Sequence, residues 1–123
     1  MGAGDMTMIW DQLARHRNAQ GEGRITDLFQ ADPRRADDFV TRAEGLVFDW
    51  SKTMIDPVAR DLLLDLAAGA GVAARREAMF SGARINETED RAVLHTALRN
   101  LSGRVLVDGH DVMPALRQTY ARM

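Results

Sequence analysis

The segment 56–71 constrains the fold of this chain more than any other part of the sequence. It opens with Asp-Pro, which starts helices because aspartate caps the first turn and proline fits the first helical position. Apolar residues then recur along one helical face, namely Val58, Leu62 and Leu66. Glycine at position 69 or 71 ends such a segment. The pattern therefore predicts an amphipathic helix with one face available for packing.

Shorter elements are predicted on the amino-terminal side of this helix. Residues 7–17 carry an apolar edge at helical spacing and predict a first helix. Thr26 is then expected to cap a short turn. Two runs of strand-forming residues, 39–41 and 46–48, flank Glu44-Gly45 and predict a small β-hairpin. A two-stranded hairpin is only marginally stable by itself, so it must pack against another element.

The carboxyl-terminal side also divides into short segments. A helix is predicted over 72–80, where Ser-Gly ends it. Asn86 with a glutamate three residues later is a capping-box pattern, and it predicts a helix whose apolar body spans 92–98. Residues 104–109 indicate a short strand and turn, after which Asp111 caps a last helix. The predicted fold is therefore mainly α with a small β-hairpin.

Composition excludes several classes of protein. The formal net charge of −2 argues against nucleic-acid binding, which needs a basic face. No apolar run approaches the roughly 18 to 20 residues that span a bilayer. Residues 1–10 hold an acid and no basic cluster, so we expect no secretory signal. The absence of cysteine excludes disulfides and thiolate metal sites. We expect a cytoplasmic protein that binds neither nucleic acid nor membrane.

The stretch Gly-Ala-Gly-Val-Ala-Ala at 69–74 matches the GxGxxA dinucleotide-binding fingerprint. That fingerprint holds a pyrophosphate only when a strand leads into the glycines and a helix follows them. Here the preceding segment has helical spacing and a helix cap instead. We therefore interpret the glycines as a stop between two helices, and we expect no nicotinamide cofactor.

The side chains that most often carry catalysis or bind metals form no recognisable site in the sequence. The histidines lack the i, i+4 spacing of a helical metal site; they are His16, His95 and His110. We expect His16 to face solvent and His95 to be a hydrogen-bonded, partly buried residue of its helix. The serines lack a GxSxG context; they are Ser51, Ser81 and Ser102. Ser51 beside Lys52 suggests a nucleophile pair, but a turn after the hairpin explains the same residues.

Charged clusters also have ordinary structural explanations. Acids at the start of a helix stabilise its dipole, which accounts for Glu87, Glu89 and Asp90 without a catalytic role. The basic pairs 34–35 and 75–76 are expected on the surface or in salt bridges. From the residues alone we predict no catalytic residue, no cofactor-binding residue and no metal ligand.

Four blocks nevertheless resemble one enzyme family in order and spacing. Residues 79–100, MFSGARINETEDRAVLHTALRN, closely resemble a stretch in which "GE-IN-TE-RAVLH-ALRN" recurs. Residues 25–39, 46–56 and 105–116 are similar to "DLF-DP-R---F", "LVDYSKN-I" and "ILVDGKDVMPEV". The family that carries these four blocks is that of the glucose-6-phosphate isomerases. The resemblance extends from about Trp10 to the end of the chain.

Five positions depart from the family's usual residues. Trp50 stands where the family usually has tyrosine or phenylalanine, and Thr53 where it has asparagine. Ala83 and Ala115 each stand where the family has glutamate, and His110 where it has lysine. Most of these changes are of a surface type or exchange one aromatic residue for another.

The resemblance implies an aldose–ketose isomerase in which glucose 6-phosphate and fructose 6-phosphate interconvert by proton transfer through an enediol. A glutamate is the family's base, histidine, lysine and arginine assist it, and serine and threonine hold the phosphate. No metal or organic cofactor is implied. The implied fold is two α/β sugar-isomerase (SIS) domains in a homodimer.

None of the family's catalytic residues can be placed on this sequence, because the resemblance implies that they lie downstream of the last block. The glycine-rich "GIGGS" stretch that opens the first sugar-isomerase domain is also missing. We therefore expect residues 1–123 to be an amino-terminal helical segment, truncated before that domain and inactive alone. An alternative is a free-standing helical module that kept this fold and binds a partner protein.

Overall fold

The computed structural model describes residues 3–100 and 102–123. The chain forms two compact units, residues 1–70 and residues 71–123. No helix in the described part of the chain is long and apolar enough to cross a membrane.

The first unit contains four helices and two strands: α1 Ala3–Gln20, α2 Ile25–Ala31, α3 Arg35–Asp38, β1 Val40–Ala43, β2 Leu46–Asp49 and α4 Pro57–Gly69. Helix α1 is longer than the predicted 7–17, because nothing breaks it before Gly21, whose φ is +59°. The cap predicted at Thr26 is wrong. Thr26 lies inside α2, and Arg24 stands at the N-cap, where its N–H donates to the Asp27 carboxylate.

Strands β1 and β2 form the predicted hairpin, with Val40 opposite Asp49 and Ala43 opposite Leu46. Its two-residue turn has positive φ at both positions, +49° at Glu44 and +78° at Gly45. This is a type I′ turn, whose twist matches that of paired strands. Glycine is needed at the second position because it alone enters this region without steric cost.

Helix α4 begins and ends where the sequence predicts. The Asp56 carboxylate accepts the Ala59 N–H at 2.8 Å, and Pro57 occupies the first turn. The helix packs against α1. Leu62 and Leu66 are half-buried, whereas Val58 is exposed, so only part of the apolar face is covered within this unit.

The second unit contains α5 Val72–Phe80, a 3₁₀ helix Ala97–Arg99, β3 Leu106–Val107, β4 His110–Asp111 and α6 Met113–Tyr120. Helix α5 has the predicted bounds. Strands β3 and β4 pair antiparallel, so the predicted strand and turn are part of a second hairpin. The core of the second unit consists of Ala97, Val105 and Met113, with Leu94, Val112 and Leu116 packed against it. The cap predicted at Asp111 is wrong, because Val112 stands at the N-cap of α6 and the Asp111 carboxylate accepts the N–H of Met113, the first helical residue, at 3.1 Å.

The helix predicted from the capping box at Asn86 is wrong. The expected contact is present, since the Asn86 Oδ1 accepts the Glu89 N–H at 3.3 Å. However, the backbones of Asn86 and Arg91 then exchange hydrogen bonds and close a loop instead of a helix. Asp90 has a φ of +48°, which a right-handed helix cannot accommodate. Only the 3₁₀ helix at Ala97–Arg99 remains of the predicted element.

Candidate functional site

Arg35 is the most completely buried polar side chain of the first unit, with 1% of its surface exposed. Its Nε donates to the Ser51 carbonyl at 2.7 Å. Its Nη2 donates to the carbonyls of Thr53 and Ile55 at 2.7 and 2.8 Å. The guanidinium also stacks 4.2 Å from the centre of the Phe39 ring. One cation therefore holds the whole loop between β2 and α4.

The expectation that both arginines of the pair 34–35 lie on the surface is wrong for one of them. The Arg34 side chain is 78% exposed and pairs with Asp38 at 3.0 Å, as expected. Arg35 is buried because the loop carbonyls need donors, and the planar guanidinium offers several in fixed directions. A single sequence gives no signal for this role, because the acceptors are backbone atoms 16 to 20 positions away.

Ser51 is a turn residue and not a nucleophile. It is 2% exposed, and its hydroxyl donates to the Asp49 carboxylate at 2.6 Å. The Ser51 hydroxyl, the Ser51 N–H and Lys52 together lower the pKa of Asp49 to about 2. A carboxylate with so low a pKa is a poor base, so this arrangement cannot activate the hydroxyl. The predicted turn explains the Ser-Lys pair.

The prediction that His16 faces solvent is wrong. Its Nε2 lies 2.9 Å from both carboxylate oxygens of Asp56, and its side chain is 21% exposed. Gln20 donates to the same carboxylate at 2.7 Å. Burial raises the pKa of Asp56, but the Ala59 N–H, His16 and Gln20 outweigh burial and lower it. The group joins α1 to the capped start of α4.

Arg84 joins two turns of the second unit. It contacts the carboxylates of Asp90 and Asp108 at 2.6 and 2.7 Å. Both aspartates have positive φ, +48° and +51°, in the two turns that the arginine connects. Hydrogen bonds from the guanidinium lower the pKa of Asp108, and the two carboxylates raise the pKa of Arg84.

The acids at 87–90 are therefore not helix-start residues. Asp90 pairs with Arg84, Glu87 pairs with Arg75 at 2.5 Å, and Glu89 lies 3.5 Å from Arg91. The expectation that they are structural and surface groups still agrees with their exposed side chains. The structure gives them arginine partners in place of a helix dipole.

The other candidates are separate from one another. The His110 ring lies 3.0 Å from the Asp108 carbonyl in the exposed second hairpin, and the Ser81 hydroxyl donates to the Ala78 carbonyl at the end of α5. Ser102 is exposed. His95 is not helical; it is exposed beside a cavity described below. In the described part of the chain, no group of three histidine, aspartate or glutamate side chains could hold a metal ion.

The glycines of the stretch 69–74 lie between two helices along the chain, as predicted. Gly69 is the last residue of α4, and Gly71 caps α5 with a φ of +70°. A helix therefore leads into these glycines, where the dinucleotide fingerprint requires a strand.

Comparison with known proteins identifies the family of this chain, which its local arrangements of polar residues do not. The family model for phosphoglucose isomerase matches residues 49–123. The chain belongs to the phosphoglucose isomerase family. It is 64% identical to a glucose-6-phosphate isomerase of Cereibacter sphaeroides over 96% of its own length. Isomerases of Ruegeria pomeroyi and Jannaschia sp. are 53% and 49% identical over 94% and 95% of it.

The chain spans 22% of the length of each of these relatives. The resemblance seen in the four sequence blocks is therefore confirmed at the level of the family. The prediction that no catalytic, cofactor-binding or metal-ligating residue lies in residues 1–123 stays a prediction.

Proposed function

We propose that this chain is the amino-terminal structural segment of a glucose-6-phosphate isomerase, and that it is inactive alone. The observation that carries the proposal is its 64% identity, over almost its whole length, to 22% of such an enzyme. The site geometry supports it. The polar clusters of the described residues hold loops and helix ends together. None of them places a solvent-accessible general base beside a hydroxyl or other group that it could deprotonate.

Exposed apolar side chains also support a role as part of a larger protein. In the first unit Leu46, Phe48 and Leu64 are 75%, 68% and 62% exposed. In the second unit Leu98 and Tyr120 are 43% and 45% exposed. Single exposed apolar residues are ordinary on a free-standing domain, but contiguous ones mark contact surfaces. Phe48 and Leu64 line one cleft of the first unit, and Leu98 and Tyr120 line one cleft of the second. The comparisons do not favour the alternative of an independent partner-binding module.

The complete enzyme is proposed to interconvert glucose 6-phosphate and fructose 6-phosphate in the cytoplasm. A base outside this segment would move a proton between C1 and C2 through an enediol, which is general acid–base chemistry. The sugar-isomerase domains and the homodimer are part of the same proposal. No metal or organic cofactor enters it.

A chimera tests this proposal directly. The chain replaces the aligned segment of the Cereibacter sphaeroides relative, and turnover of fructose 6-phosphate is measured by a coupled dehydrogenase assay. We expect the chimera to be active to within about tenfold of that relative, because 64% identity preserves the packing surface. The 123-residue chain alone is expected to show no turnover.

Two outcomes would contradict the proposal. Turnover by the isolated chain would show that residues 1–123 hold a complete active site. A chimera that is soluble and dimeric but inactive would show that this segment no longer serves the isomerase reaction. The relative with its own segment, purified in parallel, is the control for the assay.

A further inference from the structure

The second unit contains an open cavity of about 570 Å³ that no part of the proposed function uses. It lies beside the end of α5 and the 3₁₀ helix. Three of its lining residues are apolar, Met79, Phe80 and Val105, and are called the apolar wall. The other four are polar or charged, His95, Thr96, Arg99 and Asn100, and are called the polar wall. No carboxylate among the described residues lines the cavity, so Arg99 gives it a positive charge.

Arg99 has no counter-ion within the described part of the chain. Residues 71–123 contain eight arginines and six carboxylate side chains, a formal charge of +2. Each of those carboxylates lies within 3.8 Å of a nitrogen of some other arginine. The positive charge at the cavity is therefore not neutralised by any described neighbour.

The remaining polar groups of the wall also favour an anion. The carboxamide oxygen of Asn100 accepts the Gly103 N–H at 2.9 Å, which leaves its NH₂ group as the donor available to a ligand. His95 is exposed and makes no hydrogen bond with any described residue, so its ring can donate. Arginine binds carboxylate and phosphate through two parallel N–H donors, a geometry that suits such a wall.

We propose that this cavity binds a small organic oxyanion, a phosphate or carboxylate carried on a flat apolar body. Arg99, His95 and Asn100 bind the oxyanion, and Phe80 with Met79 contacts the body. Ligand sites commonly combine an apolar wall with a few convergent polar groups in this way. The inference does not depend on the isomerase reaction, and the apolar wall offers nothing to the hydroxyl groups of a sugar.

Phenyl phosphate is the probe, because it combines a phosphate with a flat apolar ring. The ¹⁵N-labelled 123-residue chain is titrated, and amide shifts are followed by NMR. We expect saturable shifts confined to 79–80, 95–100 and 105, with a dissociation constant in the millimolar range (about 1 mM). Inorganic phosphate, which has no apolar body, and glucose 6-phosphate are each expected to bind several-fold more weakly.

The matched pair of variants is Arg99→Gln and Arg122→Gln, since both remove one charge from the same unit. Arg122 is also exposed and lies outside the cavity lining. Arg99→Gln should weaken phenyl phosphate binding by at least about tenfold, whereas Arg122→Gln should leave it unchanged. Arg99→Lys keeps the charge but loses the two parallel N–H donors, so its affinity for phenyl phosphate should lie between those of the other two variants. The dispersion of each NMR spectrum shows whether the variant is folded.

Three results would overturn the proposal. The first is the absence of saturable shifts at the cavity up to about 50 mM phenyl phosphate. The second is equal weakening by Arg99→Gln and Arg122→Gln in folded variants, which would indicate general electrostatic attraction. The third is binding of inorganic phosphate or glucose 6-phosphate as tight as that of phenyl phosphate, which would remove the role of the apolar wall.

Discussion

Replacing Arg35 with alanine removes the side chain that donates to three carbonyls of the loop between β2 and α4. Three carbonyls lose a donor, at present distances of 2.7, 2.7 and 2.8 Å. Phe39 loses a cation over its ring face. The side chain is 1% exposed, so alanine also leaves a cavity where the guanidinium lay.

The cost follows from these losses. Each hydrogen bond to a charged donor contributes about 1.5–3 kcal/mol, but returning the cation to water recovers several kcal/mol of its desolvation. Removing one partner from a buried charged network costs about 3–5 kcal/mol in practice. Because whole domains unfold with about 5–15 kcal/mol, Arg35→Ala should bring the first unit close to its folding midpoint. Arg35→Lys should cost about 1.5–3 kcal/mol, since one ammonium cannot reach all three carbonyls.

Urea unfolding followed by tryptophan fluorescence measures this effect at the right place. The Trp50 ring lies 4.5 Å from the Phe39 ring, beside the arginine. Trp10 is the only other tryptophan and is 60% exposed, so a Trp10→Phe background leaves one reporter. The control is Arg34→Ala. Its side chain is 78% exposed, and its surface pair is worth about 0.5 kcal/mol.

The comparison of these neighbouring arginines can refute the reasoning. If Arg35→Ala shifts the urea midpoint no more than Arg34→Ala does, the three carbonyls must find other donors, such as water, at little cost. The buried guanidinium would then be replaceable, and the organisation of the loop would rest on the turn at Ser51 alone.

Three further predictions concern single positions. Gly82→Ala should lower the free energy of unfolding by about 3 kcal/mol or more, because its φ is +81° and a Cβ would lie 2.3 Å from a backbone oxygen. Its control is Gly109→Ala, at φ +80° in open space, which should lower that free energy by about 1 kcal/mol. Thermal unfolding measures both. The carboxyl of Asp49 should titrate with a pKa of about 2 by NMR, and Ser51→Ala should return that pKa towards its ordinary value. Folding lowers the pKa of the Asp56 carboxyl. The stability that this carboxylate contributes is therefore present above about pH 4 and is lost as the pH falls through the folded-state pKa. Asp56→Asn should remove this acid dependence of the urea midpoint.

Elements with complete local signals were predictable from the sequence. The type I′ turn at Glu44-Gly45 and the Asp-Pro start of α4 depend on residues within a few positions of each other. The bounds of α5 follow from the glycines at its two ends in the same way. Such signals act through backbone conformation and through caps formed by residues close in the sequence.

The loop at 86–96 was not predictable, because its local signal fits two structures. An Asn86 side chain that accepts the Glu89 N–H is compatible with a helix start and with a closed turn. Arg84 favours the closed turn, because it pairs with Asp90, whose φ is left-handed, and also with the second hairpin. Its other carboxylate, Asp108, is 24 positions from the arginine, beyond the range of a capping pattern.

The residues alone predicted no active site, and the resemblance added that the family's catalytic residues lie downstream of this segment. Composition and spacing left the serines, histidines and acids as isolated candidates, and the structure gives most of them structural partners. The cavity beside His95 and Arg99 was missed because the sequence placed His95 on a helix that does not form. A free cation becomes apparent only when the partners of all neighbouring carboxylates are known.

The described residues bury few large apolar side chains, and this links the polar clusters to the proposed function. The buried apolar residues are Phe39, Ala97, Val105 and Met113. With so small a core, the buried hydrogen bonds of Arg35 carry a large share of the stability of the first unit, whereas the exposed ion pairs of Arg84 contribute little. In the complete enzyme, the exposed apolar surface would become buried and add stability of its own. Arg35→Ala should therefore cost a similar free energy in the isolated chain and in the chimera, yet unfold only the isolated chain.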